Sequence, residues 1–182
     1  MAEEILIENI VVSLISPQKI PINKLLEKIP EVEFEPEQFP GVIYKMKDPK
    51  CSFLIFESGK IICTGNRKME DVERAINRLL TQLKYAGIDT SKFEKNVENI
   101  VASVKLNGEI DLNCLAMNFE NAEFEPEQFP GLVLRKEEPK LVFLIFRSGK
   151  IICTGGKKVE EVKRELENLV KIIKESECFS PY

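Results

Sequence analysis

The strongest constraint on this chain is that most of it is written twice. FEPEQFPGVIYKMKDPKCSFLIFESGKIICTG at 34–65 recurs as FEPEQFPGLVLRKEEPKLVFLIFRSGKIICTG at 124–155, an offset of 90 positions. The offset holds upstream, where ENIVVS at 8–13 matches ENIVAS at 98–103, and downstream, where 68–88 and 158–178 are both amphipathic. Two copies of this length are too long and too few for a solenoid. They fit a duplication that builds one pseudo-two-fold body from repeats 1–90 and 91–182.

Each repeat reads as the same string of elements. ILIENIVVSLI (5–15) is rich in β-branched residues and predicts a strand. PINKLLEKI (21–29) predicts a helix with Pro21 at its first position. The segment after it predicts a strand, a loop bounded by proline and glycine, and a second strand. DPK (48–50) and ESGK (57–60) are turn signals that divide a meander of three strands. A helix over about 69–86 carries Val72, Ile76, Leu79, Leu80 and Leu83 on one stripe. Five strands and two helices per repeat give an α+β fold with ten antiparallel strands and four helices. The helices can cover one side of the sheet. The other stays open.

FLIFRSGKIICTG (143–155) shows what stands on the two sides. Both of its strands are apolar on both faces, where a sheet with one solvated face would alternate. Parity sorts the side chains. Phe143, Ile145, Ile151 and Cys153 form a wholly apolar set suited to the helix-covered core. Leu144, Phe146, Ser148, Lys150, Ile152 and Thr154 form a mixed set, repeated as Leu54, Phe56, Ser58, Lys60, Ile62 and Thr64. The pattern by itself fits three covers: a second protein layer, a dimer or scaffold partner on the apolar face, or a non-protein ligand.

The chemistry of the remaining residues narrows the function. The chain has no histidine, which removes the usual general base and the Ser or Cys triads. Its five cysteines form no C-x-x-C pair, so neither a metal site nor a cofactor is expected. Cys63 and Cys153 read as small buried apolar residues in a reducing cytosol. SGK lacks the upstream glycine and the following Ser or Thr of a phosphate-binding loop. No enzyme is expected. MAEEILIENIVV lacks a basic stretch before its apolar run, and no apolar run has the length of a membrane span; neither a signal peptide nor a membrane partner is expected. Net charge is −4, with 12 Lys and Arg against 14 Asp and Glu in residues 1–90 and 14 against 16 in the rest. Neither half is a basic arm that grips nucleic acid by bulk charge.

FEPEQFPG, the LIF-x-SGK-x-x-x-TG strand pair and ENIV, each present twice at one spacing, resemble the TATA-box-binding protein family, whose own motif is QNIV-like. The resemblance covers nearly the whole chain. It implies a saddle: a curved ten-stranded antiparallel sheet whose underside sits in the DNA minor groove, with four helices on the convex face. This family is itself the standing example of minor-groove wedging.

The resemblance also assigns residues. Asn9 and Asn99 match donors to central base edges, with Thr64 and Thr154 beside them. Val11, Val101, Ile62 and Ile152 supply an apolar floor, the isoleucines standing where the family usually has valine. Phe39 with Phe56, and Phe129 with Phe146, match two intercalating pairs. Taken as residues alone, Phe39 and Phe129 could equally anchor their loops onto the core. Pro40 and Pro130 rigidify the loops; Pro40 replaces a usual alanine and makes the halves more alike. Lys45, Lys60, Lys150 and Arg135 match phosphate contacts, with Lys45 in place of a usual arginine. Glu125 and Glu127 match the loop that docks transcription factor B. The implied partners are double-stranded promoter DNA with a TATA element, transcription factor B and, through it, RNA polymerase. A homodimer is possible for the free protein. The short acidic form resembles the archaeal members, which places it in the cytoplasm.

Overall fold

The computed structural model describes residues 3–182. The chain divides into two compact units, one of residues 9–98 and one formed by 99–182 together with the residues before Asn9. The first unit carries most of β1 (Leu6–Ile15), then α1 (Ile22–Lys28), β2 (Val42–Lys47), β3 (Lys50–Ile55), β4 (Lys60–Asn66), α2 (Met69–Tyr85) and the start of β5 (Glu94–Lys105). The second carries the rest of β5, β6 (Gly108–Ile110), α3 (Leu112–Asn118), β7 (Ala122–Glu123), β8 (Leu132–Lys136), β9 (Leu141–Ile145), β10 (Lys150–Gly156), α4 (Val159–Glu175) and β11 (Phe179–Pro181). Nine strands are hydrogen-bonded in the order β2-β3-β4-β1-β5-β10-β9-β8-β7, and β11 with β6 forms a separate pair.

The architecture is α+β, with four helices and a large antiparallel sheet. The tenth strand is present as one bridge. Glu33 pairs with Ile43 in the first repeat at the position where Glu123 of β7 pairs with Val133 of β8 in the second. The bridge carries both bonds of a hydrogen-bonded pair, Glu33 and Ile43 exchanging N–H and carbonyl at 2.8 Å each, and the Val32 N–H turns back to the carbonyl of Ile29 at 3.3 Å. Pro21 is also shifted from expectation. It caps α1 in an extended conformation, and Ile22 is the first helical residue.

Helices α2 and α4 open with Glu70 and Asp71 or Glu160 and Glu161, and close with Lys84 or Lys174. Acids at the start and a base at the end both favour the helix dipole. Their inner stripes, Val72, Ala75, Ile76, Leu79 and Leu83 in α2 and Val162, Leu166, Leu169 and Ile173 in α4, are buried. Phe53, Ile55, Ile61 and Cys63 in one unit and Phe143, Ile145, Ile151 and Cys153 in the other supply the sheet's side of the core. Helix α3 is capped by Asp111, whose carboxylate accepts from the Cys114 N–H at 3.1 Å.

Cys63 and Cys153 are buried free thiols. Burial, with the Glu165 carboxylate adding to it, pushes the Cys153 thiol up to about 12. Two other cysteines, Cys114 and Cys178, form a disulfide across 64 positions, which the expected reducing cytosol does not favour. It ties α3 to the segment that leads into β11. Among the described residues no helix is long and apolar enough to cross a membrane.

Candidate nucleic-acid interface

In each unit one sheet face is filled by helix and the other is not. Phe143, Ile145, Ile151 and Cys153 are buried, while Leu144, Phe146, Lys150, Ile152 and Thr154 between them are half-buried. The first repeat shows the same alternation, with Leu54, Phe56, Ile62 and Thr64 half-buried and Lys60 exposed. Parity survives the turn because Gly59 (φ 104°) and Gly149 (φ 97°) close it with Ile55 opposite Ile61 and Ile145 opposite Ile151. Ser58 and Ser148 lie in these turns and are exposed, at the edge of the face.

Cross-strand register extends the open face beyond the expected residues. Ile43, Leu54 and Ile62 lie opposite one another across β2, β3 and β4, as do Val133, Leu144 and Ile152 across β8, β9 and β10. A second row runs Lys45, Ser52, Thr64 in one unit and Arg135, Val142, Thr154 in the other. Ile43, Val133, Ser52 and Val142 were not singled out from the sequence. Period-2 parity along β2, β3, β8 and β9 would have found them.

Asn9 and Asn99 are each held by a bulge. The pairing of β1 with β4 shifts between Ile10 and Val12, and that of β10 with β5 shifts between Cys153 and Gly156. A bulge leaves a backbone N–H outside the ladder. That N–H belongs to Gly65 or Gly155, at φ 111° and 100°, a conformation that favours glycine. It donates to Asn9 Oδ1 at 2.7 Å or to Asn99 Oδ1 at 2.6 Å. The contact fixes which end of the amide is oxygen. The NH2 end then donates to Thr64 Oγ1 at 2.9 Å or to Thr154 Oγ1 at 3.1 Å. In the second unit the threonine hydroxyl is also within 3.3 Å of Asn99 Oδ1. Among the described residues one amide N–H per asparagine stays unspent. Val11 and Val101 lie two residues further along the same strands, half-buried.

The four phenylalanines pair at the face. The rings of Phe39 and Phe56 have centroids 5.5 Å apart at 59°, and those of Phe129 and Phe146 are 5.8 Å apart at 64°. These are edge-to-face contacts between half-exposed rings, and Phe129 is 37% exposed. None belongs to the buried core. The glycine of each F-P-G makes room for the pair. A Cβ at Gly131 would meet both rings at 2.9 Å, and at Gly41 it would meet Phe39 at 2.9 Å and Phe56 at 3.1 Å. Pro40 and Pro130 are exposed between ring and glycine.

The charged candidates surround the apolar rows. Lys45 and Arg135 are exposed, and Arg135 faces Glu123 at 3.8 Å. Lys105, paired in register with Lys150, adds a cation that was not foreseen; its Nζ donates to the Ser148 carbonyl. Glu125 and Glu127 are exposed on a tight loop in which the Glu125 carbonyl accepts from the N–H groups of Gln128 and Phe129 at 2.9 and 3.0 Å. These two bonds close the loop on itself, and among the described residues neither carboxylate is ion-paired. Among the described residues no cluster of three or more Cys, Asp or Glu could hold a metal ion.

Two repeats of one α+β unit, each presenting an apolar sheet face with clasped amides and paired aromatic rings, define a sheet-based recognition protein in which an extended face rather than a pocket is on offer. Comparison with known proteins makes the assignment specific. The family described as "Transcription factor TFIID (or TATA-binding protein, TBP)" matches twice, at residues 4–86 and 94–176, and the chain belongs to it. The TATA-box-binding protein of Methanothermobacter thermautotrophicus is 45% identical over 165 residues, covering 90% of this chain and 91% of that one. That of Thermoplasma volcanium is 45% identical over 176 residues, covering 95% and 94%. The solved structure of Methanococcus jannaschii TBP superposes with a TM-score of 0.80 at 44% identity, covering 95% of this chain and 99% of that one.

Proposed function

We propose that this chain is an archaeal general transcription initiation factor that binds the minor groove of an A·T-rich TATA element with its open sheet face. The observation that carries the reading is the clasped asparagine, present once in each repeat. The minor groove of A·T pairs offers only acceptors, adenine N3 and thymine O2. A reader of that groove needs donors of fixed direction set in an apolar floor. Asn9 and Asn99 have their oxygens committed to glycine N–H groups and one amide hydrogen spare. Val11, Val101, Ile62 and Ile152 with Leu54 and Leu144 form the floor, against which a guanine amino group would be desolvated without a partner.

The remaining site residues take roles by position. Phe39 and Phe56, and Phe129 and Phe146, wedge open one base step each, and the bend lets more of the sheet touch DNA. Flexible TA steps lower that cost. Lys45, Lys60, Lys150 and Arg135 meet phosphates, with Ser58 and Ser148 at the turn edges and Pro40 and Pro130 stiffening the loops. Arg135 leaves Glu123 at little cost, since an exposed ion pair is worth under about 1 kcal/mol. Glu125 and Glu127 dock transcription factor B, which brings RNA polymerase. The role is not enzymatic and is played in the cytoplasm, and repeats 1–90 and 91–182 each contribute half of the DNA-binding surface. Without DNA, the apolar faces of two copies pair as a homodimer.

A bandshift on a TATA duplex against one with every A·T pair of the element replaced by G·C tests the reading. Retarded TATA duplex and free G·C duplex support it. Equal or absent binding to both sinks it and leaves a protein-interaction scaffold as the role of the face.

A further inference from the structure

One feature of the face is not absorbed by A·T recognition. Ser13 lies opposite Ile62, and Ser103 opposite Ile152, so both hydroxyls stand on the open side of the sheet. Both serines are nonetheless buried, at 0% and 1% exposure. Ser13 Oγ donates to Glu98 Oε1 at 2.9 Å and Ser103 Oγ donates to Glu8 Oε1 at 3.0 Å. A single hydrogen bond from a face side chain therefore fixes each carboxylate at the face. Glu8 is half-buried and Glu98 exposed, and neither is ion-paired among the described residues. In sequence they immediately precede Asn9 and Asn99.

An ionised carboxylate only accepts hydrogen bonds. Against the acceptor-only floor of an A·T pair it has nothing to receive, and the facing lone pairs repel it. The one donor a minor groove offers is the N2 amino group of guanine. The geometry points to Glu8 and Glu98 as specificity-determining residues that accept from this amino group. They make the protein favour an element that is A·T-rich overall but carries a purine 2-amino group at the pair each carboxylate meets. This inference rests on the minor-groove reading above and concerns individual base pairs within the element. The serines orient the carboxylates and leave their second oxygens for the base. Glu8 and Glu98 thus accept, each at a single pair, the group that the valine and isoleucine floor excludes at the other pairs.

The test is a scan in which adenines of a TATA duplex are replaced one at a time by 2,6-diaminopurine, with Kd read by fluorescence anisotropy. Diaminopurine still pairs with thymine and adds only the 2-amino group to the groove. At one position per carboxylate the wild type is expected to bind the substituted duplex as tightly as the parent or more tightly. Glu8→Ala/Glu98→Ala is expected to bind the same duplexes about tenfold more weakly than the parent, the discrimination of one good base contact. The inference is overturned if the added amino group weakens wild-type binding at every position, a result that needs no variant. It is also overturned if the double variant shows the same position profile as the wild type. Failure to bind the parent duplex would overturn the minor-groove reading with it; binding to the parent without the tolerated positions overturns only the role of the glutamates.

Discussion

Replacing Asn99 by aspartate separates the two jobs assigned to that side chain. In the folded protein Asn99 Oδ1 accepts from the Gly155 N–H at 2.6 Å and its amide donates to Thr154 Oγ1 at 3.1 Å. Aspartate keeps the shape and the acceptor for Gly155, and the Thr154 hydroxyl can turn to donate to the second carboxylate oxygen. The clasp survives, so stability should change by less than about 0.5 kcal/mol. The groove-facing donor does not survive. Its loss removes one base contact worth about 1–3 kcal/mol, and a negative charge then faces groove acceptors. Taking about 3 kcal/mol for the sum, Kd for a TATA duplex should rise about 100-fold. Asn99→Ala provides the contrast. It abandons the Gly155 N–H and should cost about 1 kcal/mol of stability, while weakening DNA binding less than aspartate does. Anisotropy titration and thermal melting of the three proteins read both quantities. An aspartate variant that binds DNA like the wild type, with an unchanged melt, would refute the donor role outright.

Other consequences are as concrete. Phe146→Ala should leave the core intact and reduce DNA bending measured by end-to-end FRET; unchanged bending with a large drop in melting temperature would make the ring a core anchor. Glu125→Arg should leave DNA affinity within about twofold and impair the ternary complex with transcription factor B in a supershift, because the carboxylate is exposed and its charge is what a basic partner would meet. Alkali should destabilise the protein through Cys153. Its thiol is raised from the ordinary 9.0 to about 12, so the folded state holds the proton more tightly. The contribution is complete below about pH 9 and is lost as pH rises toward 12. Cys153→Ala should flatten that loss in a melting series. Reducing Cys114–Cys178 reopens a loop of 64 positions, for which chain entropy gives about 4 kcal/mol; melting with and without a reductant should show the difference.

Much of the fold is legible because duplication lets each residue be read twice. A strand pair such as 143–155 sorts its two faces by parity alone, and the sorting holds through Gly149 because a tight turn preserves the pairing of Ile145 with Ile151. What escapes the sequence is set by partners far along the chain. The reason for T-G in ICTG is a bulge whose freed N–H needs an acceptor 56 positions away. Ser13 and Ser103 read as ordinary strand serines, and only the cross-strand register reveals the carboxylates over them. The Cys114–Cys178 bridge joins residues with no local signature. The E-V-E segment at 31–33 reads as a strand, yet it pairs with β2 through a single bridge, Glu33 to Ile43. The face residues of β3 and β4, and with them Ile43, Val133, Ser52 and Val142, are therefore accessible to period-2 reading, while the clasps of Asn9 and Asn99 need the neighbouring strand.

Replacing every A·T pair of a TATA duplex with inosine·cytosine asks whether the open face reads the minor groove. That pair keeps an acceptor-only minor groove, since inosine lacks the 2-amino group, but presents the major-groove pattern of G·C. Anisotropy should give a Kd within about threefold of the A·T duplex, because the clasped asparagines meet the same acceptors. Binding to the inosine duplex as weak as to G·C would place recognition in the major groove and contradict the assignment of the face.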